Sequence, residues 1–231
     1  AGSGEGTLRV SSFEVQCLNT LHGGSSGNQS EETRTRETSC EEGRQCGQEG
    51  RDQEARKEGR GEESCGMCVA NGKEFNYHRG MGLVKEVFDK ERMASLVGDM
   101  SIGHVRYSTS GDSGLANAQP LVFKYRDGDL AIATNGNIVN APQIRHELEQ
   151  GGSIFQTSSD TEVVAHLIAR SSKDVVEAAK DALARIVGGY AFLIMTNDKL
   201  LVASDPHGLR PVTMGRLGDA YIFASESCAL E

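Results

Sequence analysis

Apolar residues follow two regimes along this chain. Between Leu21 and Met67 there is no Val, Ile, Leu, Met, Phe, Trp or Tyr. Gly, Glu, Arg and Gln fill the interval, as in Gly43-Arg44-Gln45-Cys46-Gly47-Gln48-Glu49-Gly50. A segment without large apolar side chains cannot offset the entropy of ordering its backbone, so residues 1–59 are predicted to be a polar, mostly disordered leader. The weakly alternating run from Thr7 to Leu18 is the exception and reads as an isolated strand.

After Met67 the pattern changes. Met81 to Asp99 has apolar residues at helical spacing and predicts one helix that stops near Asp99. Ile102 to Gly111 alternates as a strand, yet carries Arg106 in its middle. An arginine there needs an acidic partner, open solvent or an anionic ligand. Lys124 to Gly136 places Asp127-Gly128 between two extended runs, a hairpin signal. Ala141 to Gly152 predicts a helix with Pro142 in its first turn and a glycine stop. Thr157 to Ser171 predicts a second helix, capped by Ser158 or Ser159. Lys173 to Gly189 predicts a third. Tyr190–Thr196, Lys199–Asp205 and Ala220–Glu226 are rich in branched and aromatic residues and predict strands. Strands, then helices, then strands favour an α+β layered domain.

Charge and composition narrow the function. The 231-residue chain carries a net charge of −9 with basic and acidic residues interleaved, which argues against a nucleic-acid groove. No apolar run approaches the roughly 18 residues that span a bilayer, so no membrane partner is expected. A basic, apolar-cored secretory start is not seen, and the leader is too acidic for a cleaved organelle peptide. The six cysteines are irregularly spaced and read as thiols in a reducing compartment.

Candidate chemistry sits in four places. Cys65 and Cys68 form a Cys-x-x-Cys, but zinc needs a second ligand pair and none is suitably spaced, so two idle thiols and no metal are expected. Thr134-Asn135-Gly136-Asn137 reads locally as a turn, or as an oxyanion hole built from an Asn amide and a Gly N–H. Thr157 to Glu162 reads as a helix cap, although Asp160 could hold an ammonium group. Asp205 to Pro211 has turn chemistry, with His207 ranked structural. Taken together, an arginine for a carboxylate, an aspartate for an amine and Asn-Gly for an oxyanion would receive an α-amino acid whose side-chain carbonyl is under attack.

Several blocks in order carry a resemblance: Gly103–Gly111, Asn117–Pro120, Thr134–Asn140, Gly152–Ala169, Asp205–Leu217 and Ala224–Leu230. From about Arg60 onward the chain resembles the glutaminase domain of the amidophosphoribosyltransferase family, class II glutamine amidotransferases with an N-terminal nucleophile. Tyr107 and the Asn117-Ala118-Gln119-Pro120 block favour this family over glucosamine-phosphate synthase. The resemblance implies a four-layer αββα sandwich of the N-terminal-nucleophile hydrolase type over residues 60–231. It implies L-glutamine as substrate, with ammonia supplied for 5-phosphoribosylamine in the first step of purine nucleotide synthesis. Arg106 would hold the glutamine α-carboxylate and Asp160 the α-ammonium. Asn135 and the Gly136 N–H would form the oxyanion hole, and Tyr107 and Thr109 would line the pocket. An N-terminal cysteine thiolate would attack the amide, release ammonia and leave a thioester for water. Such enzymes are homo-oligomers, cytoplasmic or plastid. Full-length members use Mg2+, and some carry a 4Fe-4S cluster, through regions not recognised in this sequence.

The chain departs from the family pattern. Gly59, Glu62 and Cys65 stand where the family has His, Gln and Ala, and Thr134 where it has His. Cys46-Gly47 runs into polar residues, and Cys17 and Cys40 lack the following glycine, so no nucleophile can be named. The nucleophile-bearing strand is expected to be missing and the fold marginal, unless residues 7–18 supply a strand. No phosphoribosyltransferase domain is expected. The alternative function is a glutamine-binding or assembly module without the cysteine nucleophile.

Overall fold

The computed structural model describes residues 14–19, 64–107 and 114–230. Thr109 and, apart from residues 14–19, the expected leader of residues 1–59 lie outside the described residues.

Two sheets form the centre. The strands β2 (Ser64–Ala70), β3 (Phe75–Met81) and β4 (Met100–Arg106) make an antiparallel sheet in the order β3-β2-β4. β5 (Leu121–Tyr125), β6 (Gly128–Ile138), β7 (Gly188–Met195) and β8 (Lys199–Ser204) belong to a five-stranded sheet. Its fifth member is β1 (Glu14–Asn19), parallel to β8 from Glu14 opposite Lys199 to Asn19 opposite Ser204. The strand expected from Thr7 to Leu18 is therefore not isolated, since part of it continues the edge of this sheet. β9 (Thr213–Leu217) and β10 (Ala220–Ala224) form a separate hairpin.

Alternation along the strands assigns the faces. Leu130 and Ile132 of β6 point at helices α3 (Ala141–Gln150), α4 (Glu162–Arg170) and α5 (Val175–Arg185), where they bury against residues such as Val164, Ile168 and Leu183. Ala131 and Ala133 point the other way and meet Cys68 and Ile102 across the space between the sheets. Small residues on β6 let the two sheets approach, while branched ones fill the thicker helical layer.

The predicted helix over Met81–Asp99 is two short ones, α1 (Val84–Val87) and α2 (Lys90–Ser95). Phe88 is extended, and the Asp89 side chain caps α2 by accepting the Arg92 N–H at 2.8 Å. A cap inside an apolar period ends one helix and starts another. Val87 packs onto Gly80 of β3, where a Cβ would lie 2.6 Å from Val87 Cγ1. These helices are the thin fourth layer of the αββα sandwich.

Helix α3 matches its sequence signal, with Gly151 closing it, while α5, capped by Asp174, ends at Arg185, earlier than expected, because Gly188 and Gly189 open β7. Helix α4 begins later than expected, and neither Ser158 nor Ser159 is its N-cap. Thr161 takes that position without a side-chain cap bond, because the segment before it is held by Glu162 instead.

Candidate active site

β5 pairs with β6 as far as Leu121 opposite Ile132, and beyond that point the β6 edge is open. Side chains complete it. Gln119 Oε1 accepts the Thr134 N–H at 2.6 Å. His104 Nε2 lies 3.1 Å from the Thr134 carbonyl oxygen, which can only accept, so this ring nitrogen donates. Four residues further, Asp160 Oδ2 accepts the Ile138 N–H at 2.8 Å. Between them lies Gly136. Its partner on β7 is Tyr190, whose N–H donates to Asp205 Oδ2 and whose carbonyl accepts the Asp205 N–H. Tyr190 thus turns away from β6, and the Gly136 N–H faces the open edge. With φ at 141°, and with a Cβ placed 2.1 Å from the Gly189 carbonyl oxygen, this position accepts glycine alone.

The same alternation brings two predicted residues, Asn135 and Arg106, to one end of the space between the sheets, together with His104. Asn135 follows Ala131 and Ala133 onto that face of β6. His104 and Arg106 follow Met100 and Ile102 onto the facing side of β4. The His104–Thr134 bond ties the two strands there. Asp160 joins through Ile138. Tyr107, at the end of β4, is 60% exposed. The turn reading of Asn135-Gly136 is replaced, since both residues lie inside β6, in register with Ala191 and Tyr190 of β7.

The loop before β5 fastens the parts together. Asn117 donates to Ser158 Oγ at 2.8 Å and accepts the Ser158 N–H at 3.1 Å, which anchors the segment leading to Asp160. Gln119 also reaches Thr161 Oγ1 at 3.5 Å. Arg79 donates to the Ala118 carbonyl at 2.8 Å. Gly66 allows the loop to sit on β2, because a Cβ there would come within 2.4 Å of the Gln119 carbonyl oxygen.

Comparison with known proteins shows the family of the chain. The family model described as a glutamine amidotransferase domain matches residues 104–231. The chain belongs to the glutamine amidotransferase domain family. It is 49% identical over 174 residues to an amidophosphoribosyltransferase of Bacillus subtilis, covering 74% of this chain and 37% of that protein. Identity is also 49% over 175 residues with the chloroplastic amidophosphoribosyltransferase 2 of Arabidopsis thaliana, covering 74% of this chain and 31% of that one. Among solved structures, the B. subtilis glutamine phosphoribosylpyrophosphate amidotransferase with ADP and GMP superposes with a TM-score of 0.69 at 49% identity. That match covers 73% of this chain and 37% of the other. The chain thus spans about a third of the length of the relatives it matches. The fold is accordingly that of the N-terminal-nucleophile hydrolases.

The resemblance implies a reactive thiol, and the described cysteines of β2 are both buried. Cys65 is 1% exposed and stands opposite Val105, on the face away from Arg106. Cys68 lies between the sheets, and burial, reinforced by Asp129 against the opposing pull of Arg79, pushes its thiol up to about 12. It stays protonated at neutral pH. Cys228 is exposed in the turn after β10. Among the described residues no cluster of His, Cys, Asp or Glu is placed to hold a metal ion. No helix there is long and apolar enough to cross a membrane.

Sequence reasoning missed the carboxylates that shape the site. Glu162 is fully buried and accepts the N–H groups of Gln156 and Thr157 and the Thr157 hydroxyl, at 2.8, 2.7 and 2.7 Å. Burial works to raise its pKa, but His166 and these donors together hold it below the usual value. Asp205 accepts from the main chain of Tyr190, His207 and Leu209 and so folds the loop beside β7. His207 itself is exposed.

Proposed function

We propose that this chain is the glutamine-binding and glutamine-hydrolysing domain of an amidophosphoribosyltransferase. In this reading L-glutamine lies between the sheets at the open end of β6. Arg106 holds its α-carboxylate in a bidentate contact, and Asp160 holds its α-ammonium with the oxygen not engaged by Ile138. Tyr107 and Thr109 line the pocket. An N-terminal cysteine thiolate, its proton taken up by the α-amine of that cysteine and passed to the leaving ammonia, forms a C–S bond to the side-chain carbonyl and turns its oxygen into an oxyanion, which the Asn135 amide and the Gly136 N–H stabilise. The amide C–N bond then breaks, ammonia leaves, and water hydrolyses the thioester to glutamate. The ammonia would serve 5-phosphoribosylamine formation in the first step of purine synthesis, in a homo-oligomer of the cytoplasm or plastid. The observation that carries this reading is the Gly136 N–H, aimed out of an edge whose flanking amides are both satisfied.

The state of the described β2 cysteines favours a second reading, in which the chain binds glutamine without turning it over. One experiment separates the two. The whole chain is incubated with L-glutamine and assayed for ammonia, then weighed before and after exposure to a glutamine-analogue diazo ketone. Ammonia release that stops when a single adduct forms identifies a hydrolase and its nucleophile. Saturable glutamine binding with no ammonia and no adduct identifies the binding module. Absence of any glutamine binding overturns both.

A further inference from the structure

We propose that His104 and Gln119 are positioning residues that clamp the main chain of Thr134 and thereby set the orientation of the oxyanion-binding Asn135 and Gly136. This rests on the glutamine reading above. A strand such as β5, if it continued along β6, would satisfy Thr134 but would also take the Gly136 N–H, since alternate amides point to the same neighbour. Two side chains solve that conflict. Gln119 Oε1 takes the Thr134 N–H and His104 Nε2 serves its carbonyl, and each reaches one residue without covering the next.

The carbonyl held by His104 belongs to the peptide plane that carries the Asn135 N–H. Fixing that plane fixes the direction in which Asn135 leaves the strand. Both clamping residues are themselves seated. Gln119 rests on Gly66 and its neighbour Ala118 is held by Arg79, while His104 stands opposite Gly66 in the β2–β4 ladder. The cost of the arrangement is visible, because His104 Nδ1 is buried without a partner among the described residues. An apolar ring would avoid that orphan acceptor, so the imidazole is explained by what its other nitrogen does.

The test compares the whole chain with His104→Phe, Gln119→Met and His104→Gln. Calorimetry measures L-glutamine against L-norvaline, which has the α-groups and the stem but no carboxamide. Heteronuclear NMR follows the Asn135 and Gly136 amides. The clamp predicts that His104→Phe and Gln119→Met weaken glutamine by about tenfold, leave norvaline unchanged and shift both amide signals. His104→Gln, which restores an N–H donor, should recover most of the loss. Equal weakening of both ligands, no weakening of either, or unmoved amides would overturn the proposal. If the unaltered chain binds no glutamine, the functional reading fails by itself, and the amide signals alone decide the clamp.

Discussion

From Gly128 to Ile132, β6 pairs with β5, and β7 joins its other side from Ala131, whereas from Thr134 to Ile138 it has β7 on one side and individual side chains on the other. The first half repeats one rule, with backbone ladders along its edges, both of them at Ala131 and Ile132, and aliphatic residues filling the helical layer. The second half is served by single side chains, Gln119 and His104 at Thr134 and Asp160 at Ile138. A regular ladder gives stability but leaves no main-chain group free for a ligand. Ending the ladder early exposes one amide, and side chains from distant segments keep the neighbouring groups satisfied.

The comparison can be broken most forcefully in the regular half. Ile132→Ala should lower stability by about 2–5 kcal/mol, measured by urea unfolding, because Ile132 is fully buried beneath the helices. It should leave the ratio of glutamine to norvaline affinity unchanged in the folded fraction. A changed ratio would mean that the two halves are not separable.

A smaller effect should come from acid. Burial, opposed by the Thr134 bond and aided by Arg106, lowers the His104 imidazole from 6.5 to about 4. The unfolded chain therefore takes up a proton that the folded chain refuses. Stability due to this group is full above pH 6.5 and declines as pH falls from 6.5 towards 4. The total loss should be roughly 3 kcal/mol. Unfolding curves of His104→Phe should lack that slope, and an identical slope in the variant would refute the assignment.

The smallest effect belongs to surface ion pairs outside both halves. Arg185 and Glu147 meet at 2.7 Å with their side chains about half exposed, so Arg185→Ala should change stability by about 0.5 kcal/mol or less. A larger loss would show that the junction of α3 and α5 contributes to the core rather than to its periphery.

The elements legible in the sequence are those set by local rules. Asp127-Gly128 marks the hairpin, Pro142 and Gly151 bound α3, and Asp174 starts α5. The misreadings have a common physical origin in distant partners. Asn135-Gly136 has turn chemistry, yet β7 draws it into a strand and the open edge needs glycine there. The serines before α4 resemble caps, but Asn117 engages Ser158, and Glu162 holds Thr157 from inside the fold. Arg106, Asn135, Gly136 and Asp160 are read from the sequence as a set through the chemistry of one proposed ligand. His104, Asn117 and Gln119 are not, since their partners lie 15 to 41 residues away and no periodicity marks such pairings.

The most direct test of a glutamine pocket at the open end of β6 is a calorimetric titration of the whole chain. L-glutamine should bind saturably at one site, D-glutamine should not, and Arg106→Ala should weaken L-glutamine by at least about tenfold. Failure of the unaltered chain to bind L-glutamine, or undiminished binding by Arg106→Ala, would contradict the account.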